Sequence, residues 1–236
     1  MNKDIMVVGD VHGNWGELNT LINRRKPKMI LQCGDMGIFP HYHGSKNFDG
    51  TGKPWNYYNI KNPNTDIYFA DGNHENFDYL DELIDTNGRK NPIELPGFKN
   101  VFYMPRASVF KLPDGRNVMF MGGALSIDKD SRIIGNTWWH QEEIQRRDME
   151  DLPDIKIDIM ITHTLPSQCY TYIKGQIKSV YNDNSCRWLD IIFDEYRPKK
   201  WYFGHMHLSK NFIHRGTSFT CLDMCGNNST WWEWLK

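Results

Sequence analysis

Short runs of consecutive apolar residues recur along the chain, and each predicts a strand that is buried on both faces. The first two, Ile5–Val8 and Met29–Gln32, flank a segment with helical apolar spacing for which Asn14 is a candidate N-cap. A third run, Asp66–Ala70, precedes a second helix-like segment from Asn76 to Asp85. This alternation of strand and helix predicts parallel strands joined by right-handed crossovers.

The second half of the chain predicts more strands and two more helices. The runs Ser108–Leu112 and Asn117–Met121 enclose the turn signal Pro113-Asp114-Gly115 and predict a hairpin. The stretch His140–Glu150 predicts an amphipathic helix, and Ser185–Tyr196 predicts another. The apolar side chains expected to point inward from that last helix are Trp188, Leu189, Ile191 and Ile192. The remaining strands are predicted at 101–103, 155–161, 201–203, 210–213, 218–222 and 231–234.

These elements predict one domain over residues 1–236, with irregular loop insertions at about 39–65 and 165–184. The length of 236 residues with 39% hydrophobic residues suits one sizeable α/β domain. A net charge of −1 excludes a global field that would attract nucleic acid or an anionic membrane, although a local basic patch stays open. No obligate protein partner is evident from the sequence.

The cysteines and the apolar runs bear on the compartment. The chain has five cysteines, an odd number without a C-x-x-C pair, which favours reduced and mostly buried thiols. The apolar run that ends at Gly9 is too short for a signal peptide or a membrane span, and so are the later runs. We therefore expect a soluble, cytoplasmic protein without a membrane segment.

Polar side chains follow five of the apolar strands, where open α/β folds build their sites. The members of these clusters are Asp10 with His12, Asp35, Asn73 with His74, His163, and His205 with His207. Carboxylate, imidazole and amide groups are ligands for divalent metals such as Mn²⁺, Fe or Zn²⁺. Each cluster alone also has an ordinary interpretation, as a helix cap or as a hydrogen-bonded loop. Five of them at the ends of apolar strands favour a metal site.

The same clusters resemble the five sequence motifs of the calcineurin-like metallophosphoesterases, in order and in approximate spacing. The matching segments are Gly9-Asp10-Val11-His12-Gly13, Gly34-Asp35, Gly72-Asn73-His74-Glu75, Thr162-His163 and Gly204-His205-Met206-His207. The resemblance covers most of the chain. It implies a four-layer α/β/β/α sandwich with two mixed sheets and a metal site at the carboxyl ends of the strands.

The resemblance also implies roles for the matching residues. Asp10, His12 and His207 would hold a first metal ion. Asn73, His163 and His205 would hold a second, and Asp35 would bridge both. The expected ions are two divalent metals, with Mn²⁺ first and Fe, Zn²⁺, Ni²⁺ or Co²⁺ as alternatives. A metal-bridging hydroxide would attack phosphorus directly, so that the catalytic residues would be Asp35 and His74.

Substrate contacts are expected from Asn73, from His74 as a proton donor or stabiliser of the phosphoryl group, and from Arg132. Arg132 follows Gly122-Gly123-Ala124, a segment that resembles one found in some small members of the superfamily. Its alternative interpretation is an ordinary surface arginine. The protein Ser/Thr phosphatases carry a further Asp-Arg-Gly after the second motif, whereas this chain has Met36-Gly37 after Asp35. That difference argues against the protein-phosphatase branch.

The leading hypothesis is therefore a phosphoesterase that uses two metal ions to act on a phosphate ester, which would be a small molecule, a nucleotide or a nucleic acid. A nuclease or cyclic-nucleotide phosphodiesterase on the same site is the alternative. A third hypothesis is a metal-binding scaffold without turnover, and the presence of His74 and of all seven expected ligands argues against it.

Overall fold

The structure, a computed structural model, describes residues 4–39, 64–173 and 183–236. The strands within these ranges are β1 (Ile5–Val8), β2 (Met29–Gln32), β3 (Asp66–Phe69), β4 (Ile93–Glu94), β5 (Val101–Tyr103), β6 (Val109–Lys111), β7 (Asn117–Met121), β8 (Ile159–Thr162), β9 (Lys200–Phe203), β10 (Lys210–His214), β11 (Thr217–Cys221) and β12 (Trp232–Trp234). The α-helices are α1 (Trp15–Arg25), α2 (Phe77–Asn87), α3 (Arg146–Glu150) and α4 (Asn184–Tyr196). Most of the predicted elements are present.

The strands form two mixed sheets of six strands each, with a parallel centre and antiparallel margins. The first sheet has the order β12-β1-β2-β3-β5-β4, in which β1, β2, β3 and β5 are parallel. The second has the order β10-β11-β9-β8-β7-β6, in which β11, β9, β8 and β7 are parallel. The predicted hairpin is the antiparallel pair β6–β7. The carboxyl ends of the parallel strands within each sheet therefore lie at one edge of that sheet.

The central strands are buried on both faces, as their continuous apolar sequences predict. In β1, Met6 and Val8 pack towards α1 and α2, whereas Ile5 and Val7 face the second sheet. A separate cluster lies between the second sheet and α4, which buries Leu189, Ile192 and Phe193. The layers are thus helices, sheet, sheet and helix, and the predicted four-layer α/β/β/α sandwich is confirmed.

Several local predictions were wrong. The stretch His140–Glu150 is broken into a 3-10 turn and the short α3, because Glu142 points inward. The strand predicted from residue 155 is β8, which begins only at Ile159. Ile191 of α4 is 53% exposed rather than buried. The two-residue strand β4 is too short to produce an alternating pattern and was not predicted.

Other predictions concern loops, thiols and membrane spans. The proposed insertions at about 39–65 and 165–184 lie largely outside the described residues, except that 167–172 forms a 3-10 helix. All five cysteines are buried and none forms a disulfide bond, as predicted. Among the helices that the structure describes, none combines the length and the apolar character that crossing a membrane requires.

A buried arginine ties the loop after β3 to the broken segment before α3. The guanidinium of Arg106 lies 2.7 Å from Asp71 Oδ2 and 2.9 Å from Asp148 Oδ2. It also donates to the backbone carbonyls of Gln141 and Glu143. Burial acts to lower the pKa of Arg106, but the two carboxylates outweigh it and the net shift is upward. Because three segments meet on this one cation, it stabilises the loops that approach the sheet edges.

We predict that Arg106→Met lowers the free energy of unfolding by about 3–5 kcal/mol, since Asp71 stays buried without its cationic partner and Asp148 keeps only Arg89 and Arg147 at its other oxygen. Arg116→Met is the matched control, because Arg116 pairs with the exposed Asp114 and such pairs contribute about 0–1 kcal/mol. Urea denaturation of both variants measures the difference. Equal losses in the two variants would show that the buried network does not stabilise the fold.

Candidate metal centre

The polar residues that follow the central strands of both sheets meet at one edge of the sandwich. Asp10, Asp35 and Asn73 come after β1, β2 and β3 of the first sheet. His163 and His205 come after β8 and β9 of the second. A backbone hydrogen bond joins the two sheets here. The N–H of His205 donates to Oδ1 and Oδ2 of Asp10, at 3.1 and 3.0 Å.

A second contact between the sheets fixes the tautomer of His163. Its Nδ1 lies 2.9 Å from the carbonyl oxygen of Cys33, which can only accept a hydrogen bond. Nδ1 must therefore carry a proton, and Nε2 points towards the carboxylates with its lone pair available in the neutral ring. Such a hydrogen bond on the far nitrogen is what orients histidine ligands in metal sites.

Asp10, His12 and His207 form one group whose ligand atoms lie close enough together to hold a metal ion. The Nε2 atoms of His12 and His207 are 3.2 Å apart. Asp10 Oδ2 lies 3.2 Å from Nε2 of His207 and 3.9 Å from Nε2 of His12. A carboxylate and two imidazoles converging in this way match the donor set of borderline divalent metals.

Asp10, Asp35 and His163 form a second group of the same kind. The Nε2 atom of His163 is 3.3 Å from Asp35 Oδ2 and 2.9 Å from Asn73 Oδ1. The ring of His205 lies next to that of His163, with 4.9 Å between ring centroids. The structure thus brings together all seven residues that were predicted as ligands, although Asn73 and His205 belong to neither of the two groups.

The backbone at this edge is held in an unusual conformation. His12, Asp35, His205 and His207 all have positive φ, at 48°, 55°, 62° and 47°. Non-glycine residues rarely adopt this left-handed region, and such residues concentrate at functional sites where the surrounding structure enforces them. Four of the seven candidate ligands share this property, which supports a site rather than four unrelated turns.

The electrostatics of the cluster favour positive charge beside its carboxylates. Burial acts to raise the pKa of Asp35, but His163, His74 and His12 hold it well below its usual range. Burial acts in the opposite sense on His163, and there Asp35 and Asp10 prevail and raise its pKa to about 10. Buried carboxylates therefore attract positive charge to Nε2 of His163. A metal ion would supply that charge in place of a proton.

His74 stands beside the candidate ligands rather than among them. Its backbone N–H donates to Asp35 Oδ1 at 2.8 Å, and its ring centroid lies 5.2 Å from that of His12. Burial lowers the pKa of His74, with Asp35 acting against that shift. The side chain thus lies beside His12 of the first group, and the backbone of the same residue contacts Asp35 of the second.

Arg132 is not an ordinary surface arginine. Its side chain is 9% exposed and its Nη2 lies 2.9 Å from Glu142 Oε1. Its Nη1 donates to Ser126 Oγ at 2.6 Å, and Nη2 lies 3.4 Å from the Asn73 carbonyl oxygen. Burial raises the pKa of Glu142, while Ser126 and Arg132 act against that shift. A contact between Arg132 and a substrate phosphate stays a prediction.

Sequence reasoning missed three polar residues around the cluster. Ser126 and Glu142 both contact Arg132, and Ser126 also accepts a hydrogen bond from Asn73. Glu142 lies in a stretch whose pattern predicts an exposed helical face. Glu75 is buried and accepts hydrogen bonds from the backbone N–H groups of Met36 and Ile38. For Glu75 the signal was present, because it completes the Gly-Asn-His-Glu segment.

The chain is similar to several known proteins. The model of the family described as calcineurin-like phosphoesterase matches residues 3–209. The lariat debranching enzyme of Schizosaccharomyces pombe is 26% identical over 229 residues, covering 85% of this chain and 47% of that protein. The chain thus spans about half the length of this relative. The crystal structure of TT1561 of Thermus thermophilus has a TM-score of 0.53 at 12% identity, covering 94% of this chain and 89% of that one. At that identity the likeness shows the fold alone.

We predict that Gly72→Ala destabilises the protein, because a Cβ at this position would lie 2.0 Å from Asp35 Oδ1 and 2.3 Å from the Asp35 backbone N. Overpacking of this kind costs about 1–3 kcal/mol, or more where backbone must move. Gly16→Ala in α1 is the control, since nothing lies within 4 Å of its added Cβ and alanine favours a helix by about 1 kcal/mol. Chemical unfolding that ranks the two variants in the reverse order would contradict the close approach.

Proposed function

Because the chain belongs to the calcineurin-like phosphoesterase family, we propose that it hydrolyses phosphate esters with two divalent metal ions at the shared edge of its sheets. The observation that carries this proposal is the pair of overlapping groups, Asp10 with His12 and His207, and Asp10 with Asp35 and His163. Mn²⁺ is the first candidate, and Fe, Zn²⁺, Ni²⁺ and Co²⁺ suit the same donors. The unpaired cysteines support a reducing, cytoplasmic setting.

In this proposal Asp10, His12 and His207 hold one ion, and Asn73, His163 and His205 hold the other. Asp35 lies between the two sets of ligands, since its Oδ2 is 3.5 Å from Nε2 of His12 and 3.3 Å from Nε2 of His163. Asp10 is common to both groups, but the His163 nitrogen that approaches it is Nδ1, at 3.9 Å, and that nitrogen faces the Cys33 carbonyl. Asp35 instead approaches Nε2, so we assign the bridge to Asp35. Asp10 has a second task besides binding the first ion, because its oxygens also accept the His205 N–H that joins the sheets.

Two such ions, when bound, would lower the pKa of a water between them and offset charge on the phosphoryl oxygens. The residues of the chain would then position the ester and donate a proton to its leaving group. His74 borders both groups and can donate an N–H to the leaving oxygen, even as a neutral imidazole. Asn73 and Arg132 are the other expected substrate contacts. No side-chain nucleophile is required.

A nucleic-acid phosphodiester is the second candidate substrate, and the lariat debranching relative is the observation that favours it. A net charge of −1 means that such a substrate would have to be recognised by local contacts rather than by a global field. Hydrolysis of p-nitrophenyl phosphate, its bis ester and 2′,5′- or 3′,5′-linked dinucleotides with Mn²⁺ separates the possibilities. Activity on the monoester alone would exclude the diesterase, and inactivity on all of them with metal bound would favour a scaffold.

We predict that Asp35→Asn loses at least one bound metal ion and nearly all activity. The substitution keeps the shape but removes the charge that screens two neighbouring cations from each other. Asp10→Asn is the comparison and should lose fewer ions, because its role is confined to one of them. Elemental analysis and initial rates on both variants test this, with circular dichroism to verify folding. Two metals and near wild-type turnover in Asp35→Asn would refute the bridging role.

We predict that His74→Asn retains both metal ions but lowers kcat by about 10²–10⁴, the usual scale for a general acid or base. The loss should be smaller for p-nitrophenyl esters than for alkyl esters, because a good leaving group needs less protonation. Rates with both substrate types, at matched metal content, measure this. An equal loss for the two would assign His74 to charge stabilisation instead.

A further inference from the structure

The amide of Asn73 has two chemically different ends, and only one of them can bind a cation. Oδ1 carries lone pairs, whereas Nδ2 carries two hydrogens and repels a metal ion. Rotation of the amide by half a turn exchanges the two ends with little change in shape. Which end faces the candidate metal centre therefore depends on the groups that the other end contacts.

A buried hydrogen-bond network contacts the Nδ2 end. Nδ2 of Asn73 donates to Ser126 Oγ at 2.9 Å, while Oδ1 lies 2.9 Å from Nε2 of His163. The Ser126 hydroxyl donates in turn to Glu142 Oε2. The side chains of Asn73, Ser126 and Glu142 are all buried, so water does not compete for these bonds.

The donor and acceptor balance of Ser126 allows only one orientation of the amide. A hydroxyl has one hydrogen and two lone pairs. When Glu142 is ionised, as its pairing with Arg132 favours, its Oε2 takes the hydrogen, and one lone pair is taken by Arg132 Nη1 at 2.6 Å. What remains is a lone pair, which accepts from Nδ2 but would repel Oδ1.

Glu142 is itself fixed in place. Arg132 Nη2 lies 2.9 Å from its Oε1, and the backbone N–H of Trp139 lies 3.3 Å from the same oxygen. Glu142 Oε2 is thereby left facing Ser126, and both terminal nitrogens of Arg132 are engaged in this network. The loop at 126–132 and the turn at 139–142 meet at this point.

We propose that Ser126 and Glu142 are positioning residues that hold the Asn73 amide with its oxygen towards His163 and the metal ion expected there. The inference rests on the proposed function and deepens it, since it assigns two further residues to the same site. In this proposal neither residue is a metal ligand or a substrate contact. They act through Asn73, by making the flipped amide unfavourable.

The first test is calorimetric titration of the metal-free protein with Mn²⁺ alone. Ser126→Ala removes the acceptor for Nδ2, so we expect one of two ions to bind about 10–100-fold more weakly, the usual effect of losing a partner behind a ligand. Activity lost by the variant should return when Mn²⁺ is saturating. Ser185→Ala is the matched control, since its buried hydroxyl accepts the Ile144 N–H, and its Mn²⁺ affinity should match wild type.

The second test is a double-mutant cycle with Asn73→Asp. A carboxylate offers oxygen at both ends, so its orientation no longer matters for binding a cation. In the Asn73→Asp background, Ser126→Ala should change Mn²⁺ affinity by no more than about twofold. An equal loss with and without the Asn73→Asp substitution would overturn the proposal, because Ser126 would then act by some route other than the amide.

A further variant guards against misfolding of Ser126→Ala, which thermal unfolding of the metal-free protein detects. Glu142→Gln lets the Ser126 hydrogen turn towards Asn73, so it should weaken the same ion. If wild type binds two Mn²⁺ ions and both folded variants bind them with unchanged affinity, the positioning role is overturned. Wild-type protein that binds no Mn²⁺ would overturn the proposed function as well, so the two failures are distinguishable.

Discussion

The architecture of this protein follows from the close approach of two sheet edges. Asp10 accepts the His205 N–H, and the Cys33 carbonyl faces His163 Nδ1, so each contact joins a loop of one sheet to a loop of the other. Such contacts need backbone to pass close to side chains. At Gly204 a Cβ would lie 1.9 Å from Asp10 Oδ1, which only glycine avoids. The apolar layers bring the sheets together, and these contacts set their spacing at the edge.

That spacing brings charged side chains together in a buried region. Asp10 and Asp35 are both buried, and burying carboxylates is costly unless each has a partner of opposite charge or a hydrogen-bond donor. Backbone N–H groups and histidines partly offset this cost. The histidines lower the pKa of Asp35, and the carboxylates raise the pKa of His163, so the buried carboxylates favour a positive charge beside them. The fold therefore gathers at this edge Asp and His groups that could hold a metal ion, and the four residues with positive φ show that the backbone is held there by the surrounding structure.

Behind the ligands, buried polar networks decide orientation. Arg106 joins Asp71 to the carbonyls before α3, and Arg132 joins Glu142 to Ser126 and the loop of Asn73. Both networks connect the segment after β3 to the segment around residues 139–143. A half-satisfied network of this kind would be worse than an apolar core, so each member constrains the others. This is the physical reason why a broken turn, rather than a regular helix, occupies that stretch.

Local sequence patterns were enough to predict the strands of the sheet centres, the helices α1, α2 and α4, and the strand ends that bear Asp10, Asp35, Asn73, His163 and His205. The division of the strands into two sheets came from the resemblance to the family. Apolar runs, caps and glycine-terminated strands involve only neighbouring residues, so the sequence displays them directly. Tertiary contacts alone explain why Glu142 turns inward, why Ile191 faces solvent and why Arg132 is buried beside Asn73. Each of these depends on partners far away in the chain, such as the 59 positions that separate Arg132 from Asn73. Helical periodicity cannot predict the burial of a polar residue whose hydrogen-bond partner is so distant in the sequence. The stabilising bond is made between elements and not within one.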